Sequence, residues 1–107
     1  MNTLNWTPIE DKHGVPCNQA DLVPVLGIET PYNDKTNDAG VRTWVGGVKI
    51  RDYGAACLHR FVVRVECFRL EPNLDYGSHI IPTWLDTNGI TLEKAIDAAR
   101  ETLRTTA

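Results

Sequence analysis

The residues best suited to chemistry in this chain are four cations and a tyrosine in its middle third: Lys49, Arg51, Tyr53, Arg60 and Arg64. Guanidinium and ammonium groups at alternate positions of a strand share one face. There they form charge-assisted hydrogen bonds to carboxylates or phosphates. A tyrosine beside them adds an apolar ring with a polar tip, a residue type enriched at binding hot spots. This set is the candidate partner- or anion-binding site, and no catalytic residue is assigned.

Other constellations are weaker. His13, Cys17, Cys57 and His59 are the best candidate zinc ligands, since zinc takes thiolate and imidazole. Their spacing lacks the paired-ligand pattern of a structural zinc site, so neither metal nor cofactor is expected. Cys57 and His59, two residues apart on a strand, sit about 6–7 Å apart, too far for a nucleophile and its base. The sequence has no phosphate loop, no His-Glu-x-x-His, no Cys-x-x-Cys and no Gly-x-Ser-x-Gly. An enzyme is therefore the less favoured class. The three cysteines are expected as free, buried thiols rather than a disulfide framework.

The elements that must position these groups follow from hydrophobic period. In Cys57–Leu70 the odd positions are nearly all apolar, and the even positions carry Arg60, Arg64 and Glu66. That alternation is a strand with one buried face. Val41–Asp52 is a second strand. With a loop at 53–56, the two form a hairpin that pairs Ile50 with His59, Val48 with Phe61, Trp44 with Val65 and Lys49 with Arg60. Tyr53 then stands at its tip. A rival hairpin turns at Gly46-Gly47.

Residues 22–29, with Pro24 and Gly27, read as an edge strand or irregular segment. Residues 30–40 read as a polar loop, 71–78 as a connection and 79–85 as a short edge strand. Leu4–Thr7 reads as a short strand ended by Pro8. After a turn at 86–89, Leu92, Ala95, Ile96, Ala99 and Leu103 recur at helical spacing, with Thr91 as N-cap.

The fold class expected is α+β in a single domain, 1–107. An antiparallel sheet of about 4–5 strands is built on the central hairpin (about 41–70), with one C-terminal amphipathic helix (about 91–104) on one face. The expected core is Trp44, Val48, Ile50, Phe61, Val63, Val65, Cys67, Leu92, Ile96 and Ala99. Val45, Val62 and Phe68 lie on the outer face, where a homodimer could form.

The 107 residues carry a net charge of -3, which disfavours a basic nucleic-acid binder as a whole-chain reading. The charge is blocked along the chain. Residues 41–70 hold six bases against two acids, whereas 1–40 hold two bases against six acids and 71–107 three against six. No apolar run is long enough for a membrane helix, and Met1–Trp6 lacks the basic start of a signal peptide, so a cytoplasmic protein is expected. Small size, acidic balance and missing catalytic motifs are features shared, at class level only, with accessory and inhibitor proteins of phages and mobile elements. The function expected is a non-enzymatic protein-interaction module that uses the hairpin face and loops. The alternatives are a small-molecule or anion-binding domain, or small enzyme, with a pocket between sheet and helix, and a nucleic-acid contact through the basic face.

Overall fold

Val63, flanked by Phe61 and Val65, lies at the centre of the hydrophobic core, and all three are buried on one side of a strand. Around it a computed structural model describes residues 4–72, 79–86 (backbone only) and 91–105. The elements run β1 (Thr7–Glu10), β2 (Pro16–Asp21), α1 (Val23–Leu26), β3 (Tyr32–Thr36), β4 (Arg42–Asp52), β5 (Phe61–Leu70), β6 (His79–Asp86) and α2 (Leu92–Thr105). All strand pairs are antiparallel. Five of the strands follow the order β1-β2-β4-β5-β6, and β3 pairs with the first half of β4. Helix α2 packs on β5, with Ala95, Ala99 and Leu103 in the core cluster. The expected α+β architecture, a sheet with a C-terminal helix on one face, is therefore present.

The hairpin register differs from the expectation. Asp52 faces Phe61, Ile50 faces Val63, Val48 faces Val65 and Lys49 faces Arg64. From Gly47 to Asp52 the slip is four residues, so every side chain there keeps its face, but the loop grows from 53–56 to 53–60. The reason is burial. The observed register sets valines opposite Ile50 and Val48, where the expected one placed the imidazole of His59 against the core.

A second difference lies at Gly46. The rival turn at Gly46-Gly47 does not form. Instead the register steps between Val45 and Gly47, and Gly46 is the extra residue of a β-bulge. Beyond the bulge β4 changes phase. Val45, expected on the outer face, is 1% exposed in the core, and Trp44, expected in the core, faces outward opposite Phe68. Cys67, Leu92 and Ile96 pack against the core only partly buried.

Residues 22–29 contain α1 rather than a strand. Proline is tolerated in the first turn of a helix, where its missing N–H has no partner to lose. Gly27 closes the turn at φ 69°, its N–H bonded to the Val23 carbonyl. Arg100 of α2 reaches across to the Val25 and Leu26 carbonyls at 3.2 and 3.3 Å.

Residues 30–40 are not a loop either. Asn37 Oδ1 accepts from the Ala39 and Val41 amides, the Gly40 N–H bonds the Asn37 carbonyl, and Gly40 takes φ 81°. This compact turn closes the β3–β4 hairpin. The same construction recurs at 11–15. There Asp11 Oδ1 accepts from His13 and Val15, and Gly14, at φ 78°, bonds the Asp11 carbonyl. It joins β1 to β2, a strand that sequence reasoning missed. Pro8 sits inside edge strand β1 rather than ending a strand, and the sequence-predicted edge strand at 79–85 is β6. Thr91 caps α2, its hydroxyl accepting from Lys94 N–H at 3.3 Å. The connection at 73–78 and the turn residues 87–90 lie outside the described residues.

The two faces of β5 define a test. Val63→Asp places an unpaired charge in the core at a cost on the order of 3–5 kcal/mol, enough to unfold a domain of ordinary stability. Val62→Asp, on the opposite face among arginines, should keep a cooperative thermal melt. Equal melting temperatures for the two variants would contradict this assignment of faces.

Candidate binding face of the sheet

Alternation along β4 and β5 turns Lys49, Arg51, Val62, Arg64 and Glu66 away from the helix-covered side. Arg51, Tyr53 and Arg64 line one cleft with Lys12 and His13 of the β1–β2 turn. Its volume is about 550 Å³, and Val62 forms part of its floor. Three of the five candidate site residues therefore meet in a single cleft. Lys49 is in register with Arg64 and, on its other side, with Asp21 of β2.

Arg60 is not in this group. It lies in the loop and forms a two-pronged pair with Asp52, Nε to Oδ1 at 2.8 Å and a terminal nitrogen to Oδ2 at 3.1 Å. Its guanidinium also sits 4.9 Å over the Phe61 ring. Nor is Tyr53 at the hairpin tip. It follows directly on β4, half-buried, and its N–H bonds the Arg60 carbonyl at 2.7 Å. The exposed end of the loop is Ala55–His59, where Leu58 is 82% exposed and the Cys57 thiol is exposed rather than buried.

One carboxylate organises the cleft. Asp11 Oδ1 holds its own turn together, while Oδ2 accepts the Tyr53 hydroxyl at 2.9 Å. The amide of Val15, above all, holds the Asp11 carboxyl below its ordinary 3.8, with Tyr53 and His13 adding to the effect. Burial pushes the Tyr53 phenol above 10.0; Arg51 opposes the rise and Asp11 adds to it. Arg51 Nε donates to Gln19 Oε1 at 3.0 Å, and Arg64 meets Glu66 at 3.4 Å. Asp11, Lys12 and Gln19 were missed by sequence reasoning. The available signal was the Asp-x-x-Gly spacing of a tight turn.

The same face carries a second feature toward β3. Trp44 and Phe68 stack with centroids 5.4 Å apart and planes 7° from parallel. Arg42 lies 4.4 Å over the Trp44 ring and forms a two-pronged pair with Asp34 at 2.7 and 2.6 Å. Phe68 lies flat because Gly46 has no side chain. A Cβ there would stand 2.3 Å from Phe68 Cε2.

The candidate metal ligands do not assemble. Among the described residues no three His, Cys, Asp or Glu side chains are grouped to hold an ion. Cys17 is buried, Cys67 half-buried with its thiol pushed up by burial, and both are free. Among the described residues no helix is long and apolar enough to cross a membrane. No family model matches the chain, and neither a curated protein nor a solved structure is significantly similar to it.

Two outcomes follow from this geometry. Gly46→Ala should displace the Phe68 ring and cost about 1–2 kcal/mol through the lost stack and local crowding. Gly47→Ala, whose Cβ would meet Glu66 only at 3.6 Å or more, should be nearly neutral. Near-ultraviolet circular dichroism and thermal melts separate the two, and equal behaviour would exclude the packing described.

The pH dependence has a definite sign. Arg60 holds the Asp52 carboxyl below 3.8, and Arg42 does the same for Asp34. The unfolded chain therefore binds more protons in acid. The stability from these pairs is complete above the ordinary carboxylate pKa and lost as pH falls through roughly 4 and below. Asp52→Asn should lower the melting temperature at pH 7, and its difference from the parent should shrink toward pH 3. A constant difference across that range would refute the assignment.

Proposed function

We propose that the protein is a small non-enzymatic interaction module that binds a protein partner through the outer face of β4 and β5, in the manner of an accessory or inhibitor protein. The observation that carries this reading is the Arg42–Trp44–Phe68 column on the sheet face that α2 does not cover. Tryptophan and arginine are the residues most enriched where binding energy concentrates, and here they are held rigid before any partner arrives. Lys49, Arg51 and Arg64 extend the face with positive charge, which favours an acidic partner surface and speeds its approach.

The alternatives find less support in the geometry. The cavity beside α2, lined by Tyr32, Arg100 and Leu103 among others, measures about 250 Å³, less than half the volume of the cleft on the opposite face. A nucleic-acid surface is disfavoured by the acidic balance of the chain, a net charge of -3.

Affinity capture from the native host, with and without nuclease, followed by mass spectrometry supplies the partner. Binding of the purified partner is then measured against salt. Trp44→Ala should weaken it at least about tenfold, as expected for a hot-spot residue. Lys49→Glu should slow association and flatten the salt dependence. Lys94→Glu, on the exposed side of α2, should change neither. Unchanged affinity in folded Trp44→Ala and Lys49→Glu variants would remove the face from consideration, and capture that disappears with nuclease would favour nucleic acid.

A further inference from the structure

The cleft at the other end of this face has the composition of a ligand site in its own right. Its volume, about 550 Å³, falls within the range of small-molecule pockets. Lys12, Arg51 and Arg64 bring three cations to its lining, against two carboxylates, Asp11 in the lining and Glu66 paired with Arg64 at 3.4 Å. Both Asp11 oxygens are already engaged, one by the His13 and Val15 amides and the other by the Tyr53 hydroxyl. The Asp11 charge therefore serves the scaffold, Glu66 offsets Arg64, and the cleft keeps a positive excess through Lys12 and Arg51. Val62 and Tyr53 share the lining with the cations and offer apolar surface rather than more charge.

The support is rigid. The β1–β2 turn that carries Lys12 and His13 is closed by its own backbone bonds and tied to the end of β4 through Tyr53. Arg51 is braced on Gln19 of β2. Cations converging on a small, partly apolar recess suit a molecule with one anionic group and one apolar body.

We infer that this cleft binds a small organic anion, a carboxylate or phosphate monoester attached to an apolar or aromatic group. The anionic group sits among Lys12, Arg51 and Arg64, and the body lies on Tyr53 and Val62. This site shares Arg51 and Arg64 with the proposed protein-binding face but none of the Arg42–Trp44–Phe68 column. Neither Trp44 nor Lys49 lines it, so either reading can fail alone.

The test is a titration of the isotope-labelled protein followed by amide chemical shifts, with benzoate and phenyl phosphate as probes. Inorganic phosphate and benzyl alcohol serve as comparisons that lack the ring or the charge. Saturable shifts at 11–15, 51–53 and 62–64 with either ring-bearing anion, and much weaker effects from both comparisons, are expected. The stronger of the two probes distinguishes a carboxylate ligand from a phosphate one. Arg51→Gln should weaken binding roughly tenfold, the scale of one charge-assisted hydrogen bond. Lys12→Gln, in an exposed turn, should weaken it roughly threefold without touching the fold. Trp44→Ala should leave it unchanged. Non-saturating shifts, equal response to benzyl alcohol or inorganic phosphate, or full affinity in folded Lys12→Gln and Arg51→Gln variants would overturn the proposal. Should Arg51→Gln not fold, Lys12→Gln alone decides.

Discussion

The bulge at Gly46 is the constraint on which the rest of the sheet depends. Along β5 the alternation from Phe61 to Phe68 is unbroken, so the partner strand must absorb any change of phase. One extra residue in β4 allows Val45 and Val48 to face the same core, although three positions separate them. It sends Trp44 to the opposite side, where the Phe68 ring lies in the space that a side chain at 46 would fill. The buried core and the half-buried aromatic column on the outer face are thus two results of a single inserted glycine. A bulge also bends and twists its strand, and the pairing of β4 on one edge passes from β2 to β3 across this region.

The charge blocks of the sequence acquire a physical meaning in three dimensions. The acidic first forty residues do not stand apart from the basic hairpin. Asp34 pairs with Arg42, Asp21 stands in register with Lys49, and Asp11 meets Tyr53 beside Arg51. The like-charged positions Lys49 and Arg64 face each other across β4 and β5, a pairing that destabilises when nothing balances it. Here carboxylates on the neighbouring residues, Asp21 and Glu66, supply the opposite sign. Partial neutralisation leaves the excess concentrated where the β1–β2 turn adds Lys12.

What could be read from the sequence depended on the range of the signal. The inward face of β5 and the stripe of α2 were legible because each is a local period that burial enforces. The register of β4 on β5 was not. A shift of four residues preserves every inward and outward assignment, and only the preference for Val63 over His59 opposite Ile50 decides it. The two Asx-x-x-Gly turns were present in the sequence, yet in 30–40 their polar composition hid the short strand they close. Gly46-Gly47 was ambiguous in a deeper way. Glycine marks a turn, a bulge or a close approach, and only the Phe68 ring, far along the chain, identifies which. Of the candidate site, Arg51 and Arg64 were found by alternation, and Tyr53 as an aromatic residue in the loop beside them. Lys12 and Asp11 come from a turn that the Asp-x-x-Gly spacing marks, but whose placement beside Arg51 and Tyr53 no local pattern reveals.

The long loop between β4 and β5 gives the chain a chemical handle. Of its three thiols, one is buried, one is half-buried and harder to ionise, and Cys57 is exposed at the end of the loop and itself lines neither the cleft nor the aromatic column. Maleimide chemistry on the folded protein will therefore favour a single position. A dye or spin label placed there reports on both ends of the sheet without occupying either. The wild-type chain can thus carry a probe for rotational diffusion and distance measurements, with no cysteine introduced or removed.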